Sequence, residues 1–203
     1  MNDWKKVADK NIIHKVVNNL KNRNIDAYFV ETSEEAKKKV LELIPQGARV
    51  LASQSETLNQ TDIANEIENS DNIVSVRKEY MALDHEKDAD RIRELRSTPQ
   101  VIVGSVHAVT ELGEVLVVSN SGSQMAAYVF SAGKVIWVIG AQKIVKDLEE
   151  ANRRIYDYVL PLESERLKKL YGIPSNVSKL VIYTKEPVKD RVTAIIVNEA
   201  LGF

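Results

Sequence analysis

The run Val135-Ile136-Trp137-Val138-Ile139 decides the fold, because it is apolar at every position rather than at every second one. A strand with one wet face alternates apolar with polar side chains, whereas an unbroken apolar run has both faces covered. A helix comes next. Leu148, Ala151, Ile155 and Tyr158 fall on one stripe that opens near Asp147, and the chain is then expected to turn at Pro161.

Working outward toward the amino terminus, the same alternation repeats. Val101-Ile102-Val103 is a second buried strand, preceded by a charge-rich helix that Asp84 caps and that runs through Arg96. Arg49-Val50-Leu51-Ala52 is a third, and it leads through a polar loop into a helix near 59–68 that buries Ile63 and Ile67. Ile25 to Glu31 forms another strand. After it, Thr32 and Glu35 make a capping box for a helix with Ala36, Val40, Leu43 and Ile44 on one face, ended by Pro45-Gln46-Gly47. Trp4, Val7, Ile13, Val16, Val17 and Leu20 stripe a first amphipathic helix over about 4–22.

Between and beyond these units, Val115 to Val118 is a strand, Ala126 to Phe130 is helical, and Ile73 to Val76 is a short apolar stretch. Leu180 to Tyr183 and Val192 to Val197 flank the turn Glu186 to Asp190 and are expected to complete the sheet, with Leu201-Gly202-Phe203 packed behind. Doubly buried strands alternating with helices predict a three-layer α/β/α domain with a mostly parallel sheet and right-handed crossovers. The expected unit is one domain over residues 1–203, its first helix packed on the α/β core.

A chain of 203 residues buries roughly 70% of its unfolded surface, enough for one large core. With 28 basic against 29 acidic residues and a net charge of −1, no global field draws it to nucleic acid or anionic lipid, so neither is an expected partner. There is no cysteine, hence no disulfide, thiolate nucleophile or cysteine-bound metal cluster. The opening Met1-Asn2-Asp3-Trp4-Lys5-Lys6 lacks the pattern of a signal peptide and no apolar run spans a bilayer, so the expected compartment is the cytoplasm. Trp4, Tyr28 and Trp137 read as core or interface aromatics. Lys37 to Lys39 and Lys168-Lys169 read as solvated helix faces.

In open α/β sheets ligands bind beyond the carboxyl ends of the strands, and three loops qualify. In the first, Ser53, Ser55 and Thr57 precede a helix, and serve either as an ordinary cap or as an anion cradle. The second runs from Gly104 to Glu114 and contains Ser105, His107, Glu111 and Gly113. A carboxylate beside a glycine turn can attack an acyl group or take a proton, which makes Glu111 the catalytic candidate; an exposed turn glutamate is the plain alternative. His107 is a proton carrier or an anion partner, and it lacks the neighbours a metal needs. The third loop holds Asn120, Ser121, Gly122 and Ser123, whose amides either cradle an anion or simply connect. No dinucleotide or P-loop fingerprint occurs, and no cofactor is evident. The ligand these loops suit is a small anionic metabolite.

From Ser105 to Val145 the pattern becomes specific: Ala-Val-Thr-Glu-Leu-Gly-Glu-Val from 108, Ser-Asn-Ser-Gly-Ser-Gln from 119, Ala-Gly-Lys-Val-Ile-Trp-Val from 132 and Lys-Ile-Val-Lys-Asp-Leu-Glu-Glu-Ala from 143. This resembles the LUD domain family, named for lactate utilisation, and the likeness reaches back through the Ser53 loop and forward to Phe203. The resemblance implies the fold shared by CoA transferases, ribose-5-phosphate isomerase and glucosamine-6-phosphate deaminase. It implies a binding or accessory role in small organic acid metabolism beside separate iron–sulfur partner proteins. The alternative it implies is an enzyme of acyl-CoA or sugar-phosphate chemistry, with Glu111-Leu112-Gly113 matching the nucleophilic glutamate of CoA transferases. Two features depart from those patterns. The glycine-rich CoA loop is not visible, and where close relatives carry a cysteine cluster this chain has Tyr171-Gly172-Ile173-Pro174-Ser175-Asn176. A second copy of the chain is a further expected partner, through the sheet edge and the apolar terminus.

Overall fold

The structure is a computed structural model that describes residues 3–203; the part of the sequence reading that concerns Met1 and Asn2 lies outside them. The strands are β1 (Asp26–Val30), β2 (Arg49–Ala52), β3 (Val74–Ser75), β4 (Val101–Gly104), β5 (Ala108–Thr110), β6 (Val115–Ser119), β7 (Lys134–Gly140), β8 (Ile144–Val145), β9 (Lys179–Tyr183) and β10 (Val192–Val197). The α-helices are α1 (Lys10–Asn22), α2 (Ser33–Leu43), α3 (Glu56–Gln60), α4 (Ile63–Asn69), α5 (Val76–Met81), α6 (Ala89–Ser97), α7 (Leu148–Arg154) and α8 (Leu160–Tyr171).

Six strands form one parallel sheet in the order β1-β10-β7-β4-β2-β3. Its central strand β7 explains the apolar run. Val135, Trp137 and Ile139 face a core shared with Ile13 and Val16 of α1, Tyr80 of α5 and Leu95 of α6. Ile136 and Val138 face the opposite core, built with Ala36 and Val40 of α2, Leu58 of α3 and Ile63 of α4. The mixed α/β class with a mostly parallel sheet between helices is as the sequence predicts.

A second, four-stranded sheet in the order β8-β5-β6-β9 adds to that plan. Val109, Val115 and Val117 join the first core, while Ala108, Leu116 and Val118 meet Ala151 of α7 and Ile155 on the other side. The two late strands therefore part company. β10 enters the main sheet between β1 and β7, and β9 pairs antiparallel with β6 in the small sheet.

Several boundaries move for local reasons. The first helix begins at Lys10 because the Asp9 carboxylate accepts the Asn11 N–H at 2.8 Å, and Trp4 packs instead near Ala108 and Leu116. The expected helix near 59–68 is broken in two by Asp62, which is left-handed at φ 59°. Pro161 does not turn the chain. It sits in the first turn of α8, which continues directly from a π-helical turn over Ile155–Val159 that joins it to α7. No helix among the described residues is long and apolar enough to cross a membrane.

Candidate functional site

Four neighbouring strands of the main sheet, β10, β7, β4 and β2, send their carboxyl ends to one rim. Ser53 follows β2, Ser105 follows β4, Lys143 follows β7 through a single 3-10 turn, and Phe203 follows β10. All four residues line one cleft of about 310 Å³. The facing wall comes from the end of β6 with Asn120, Ser121 and Ser123, and from Leu160, Glu163, Arg166 and Leu167 of α8.

On the cleft wall stands a lysine with no acid beside it. Lys143 is 2% exposed, and its Nζ donates to Thr57 Oγ1 at 2.9 Å, Ser105 Oγ at 3.1 Å and the Val106 carbonyl at 3.1 Å. Both hydroxyls already donate their own protons to carbonyls, Ser105 to Val138 at 2.6 Å and Thr57 to Leu201 at 3.2 Å. They therefore meet Nζ as acceptors, and three acceptors match the three donors of an ammonium. Against this, burial first and the Arg154 charge second pull the Lys143 pKa well below its ordinary value. The geometry offers Nζ three dipoles and no counterion, while burial works against its charge.

His107 shares the cleft. The Val118 N–H donates to its Nδ1 at 3.1 Å, which leaves the ring hydrogen on Nε2. Burial, then Lys143 and Arg154, push its pKa down to about 3, so the ring is neutral near pH 7. Behind it, Arg154 is 0% exposed and donates from Nη1 to the His107 carbonyl at 2.6 Å. Its guanidinium carbon lies 5.3 Å from the Tyr158 ring centroid. Burial lowers its pKa to about 10, which keeps it charged. The Tyr128 hydroxyl donates to the Ser105 carbonyl at 3.2 Å and lies over Gly104, where a Cβ would come within 1.7 Å of it.

Of the residues singled out in the sequence, the cleft gathers Ser53, Ser55, Thr57, Ser105, His107, Asn120, Ser121 and Ser123. It does not gather Glu111 or Gly113. These two form the turn between β5 and β6, and α1 covers it: Lys15 Nζ lies 2.8 Å from Glu111 Oε2, and Asn19 Nδ2 donates to the Glu111 carbonyl at 2.7 Å. The expected meeting of Glu111 with the serine loops is corrected accordingly. The open end of the β5–β6 hairpin, at His107 and Ser119, lines the cleft, and its turn at the opposite end carries Glu111 to the helix instead. Gly122 donates its N–H to Ser119 Oγ at 2.9 Å and shapes the third loop from behind, at φ +82°.

Lys143 and Arg154 escape the sequence reading, although both leave a trace in it. Lys143 is a basic residue between Gln142 and the apolar pair Ile144-Val145 just past a doubly buried strand, and Arg154 lies within the buried stripe of Ala151 and Ile155.

The family model described as LUD domain matches residues 13–197. The chain belongs to the LUD domain family. That family is associated with lactate utilisation. This LUD domain is similar to the crystal structure of a DUF162 family protein from Deinococcus radiodurans. The TM-score is 0.58, with 10% identity over 95% of this chain and 99% of that one, a likeness of fold. It also matches the structure of eIF2B beta from Chaetomium thermophilum at a TM-score of 0.39, with 18% identity over 60% of this chain and 42% of that one. A search of the curated proteins finds no match to this chain.

Proposed function

We propose that this LUD domain binds a small anionic metabolite in the cleft, as a binding or accessory component of small organic acid utilisation. The observation that carries the proposal is Lys143, an amine 2% exposed on the cleft wall whose Nζ meets only two hydroxyls and a carbonyl, so that an acidic guest would favour its charged form. A buried charge without a counterion is costly, and an acidic guest supplies the counterion that the protein withholds. Ser55 and Ser121 add hydroxyl protons that go to no acceptor among the described residues, and both line the same cleft. The neutral His107 adds an Nε2–H donor that keeps its hydrogen across the physiological range.

Glu111 reaches no group of the cleft, so the alternative of an enzyme using it as nucleophile or base on this ligand draws no support from the geometry. Separate iron–sulfur partner proteins belong to the same proposal, since the chain has no cysteine with which to hold a cluster.

A thermal-shift screen with lactate, pyruvate, sugar phosphates and CoA esters tests it. A ligand at about 100 times its Kd stabilises by roughly 2.7 kcal/mol, and Lys143→Met removes that response. Silence with every anion, or an undiminished response in the variant, contradicts the proposal.

A further inference from the structure

Resting on the anion-binding reading and narrowing it, we propose that the natural guest of the cleft is an amphipathic monoacid, whose acid group meets Lys143 and whose uncharged apolar body lies along α8. Away from the strand ends the lining changes character. In α8, Leu160, Glu163, Leu167 and Tyr171 recur at helical spacing, and all four line the cleft. Such an apolar stripe ordinarily packs into a core. Here no residue of α8 is fully buried, and Leu160, Leu167 and Tyr171 join none of the three apolar cores formed by the described residues. Phe203, which follows β10, is a further half-buried apolar residue of the lining outside those cores.

The charges on the α8 side leave no place for a second acid. Glu163 holds Arg166 through two bonds of 2.7 and 2.8 Å, and Glu56 lines the same cleft. One arginine already faces two carboxylates there, so a further anion would meet like charge in a partly desolvated site. Lys143 stands on the opposite wall, and its Nζ meets two hydroxyls and a carbonyl. The acid group of a guest therefore has one destination, and the rest of the guest is uncharged. Size points the same way. The cleft of about 310 Å³ holds roughly ten waters' worth of space at about 30 Å³ each, more than a three-carbon acid displaces. Apolar carbon in the remaining space covers Leu160, Leu167 and Phe203, which is favourable in proportion to the area removed from water.

Calorimetric titration at one pH and constant ionic strength with acetate, butyrate, hexanoate and adipate separates the two ends of the guest, because adipate is hexanoate with its terminal methyl replaced by a second carboxylate. Each buried methylene is worth up to about fourfold in affinity, so hexanoate is expected to bind at least about tenfold more tightly than acetate, with butyrate between them. Adipate is expected to bind at least about tenfold more weakly than hexanoate. Lys143→Met should abolish hexanoate binding. Leu167→Ser should bring hexanoate toward acetate while acetate itself binds as before, and the wild-type series decides the matter even if that variant fails to fold. Equal affinity of acetate and hexanoate, adipate as tight as hexanoate, or a hexanoate affinity untouched by Leu167→Ser overturns the apolar-bodied guest and leaves the anion site standing. No binding by any of the four acids or by lactate, or hexanoate binding that survives Lys143→Met, sinks the anion site itself.

Discussion

At the scale of single residues, Lys143 is a poor contributor to stability, since burial works against its charge. Its hydroxyl neighbours retain their own carbonyl partners without it, so Lys143→Met leaves only the Val106 carbonyl short of a bond while relieving the desolvation of a buried amine. The ligand-free variant should be more stable than the native chain by roughly 1–2 kcal/mol, read from urea midpoints, and should no longer respond to anions. His107 gives a second test. Its folded pKa of about 3 lies below the ordinary 6.5, so the unfolded chain binds the extra proton first and stability falls as pH drops through that interval. Between pH 7 and 4.5 the native protein should lose roughly 2–3 kcal/mol more than His107→Asn, measured by urea unfolding at both values. The sequence marks His107 as a loop histidine, yet its neutrality depends first on burial and then on Lys143 and Arg154 far along the chain. Lys143 and Arg154 look like solvated charges by composition, and only the crossing of β7 and α7 beneath the small sheet buries them.

At the scale of elements, the β5–β6 turn acts as an anchor for α1. Lys15 pairs with Glu111 at 2.8 Å, Arg23 with Glu114 at 2.7 Å, and a Cβ on Gly113 would lie 3.1 Å from the α1 backbone. Glu111→Gln should therefore cost less than about 1 kcal/mol of stability and leave every ligand response unchanged, because the pair is partly exposed and remote from the cleft. Gly113→Ala should cost about 1–3 kcal/mol, since a left-handed φ of +89° and a close helix oppose any side chain there. A ligand response lost in Glu111→Gln with its stability intact speaks against this division of roles. Strand identity was open to sequence reading because apolar runs declare burial. Sheet membership was not: β6 and β9 are as apolar in sequence as β10, and only the antiparallel pairing of Leu116 with Ile182 puts them in a separate layer.

At the scale of the whole molecule, two sheets meet so that the parallel strand ends form one side of a cleft and the small sheet with α8 forms the other. The sides differ in how firmly they are held. The central strands β4, β7 and β10 of the main sheet are buried on both faces, whereas α8 has no fully buried residue and keeps Leu170 at 58% and Tyr171 at 60% exposure. Amide hydrogen exchange should accordingly be slowest in β7 and β10 and fastest in α8, with ligand slowing α8 in particular. Fast exchange in α8 that no bound anion alters means that the helix is no part of the binding wall. The general rule of ligands at strand ends was enough to name eight of the polar lining residues from sequence, and it failed at Glu111 because that turn lies at the end of the β5–β6 hairpin remote from the rim. The most direct test is a crystal structure with the tightest-binding anion of the screen. The acid group should lie within about 3.5 Å of Lys143 Nζ, with the free hydroxyl protons of Ser55 and Ser121 alongside. An acid group seated away from Lys143, at the Glu111 turn or on the outer surface, contradicts the assignment.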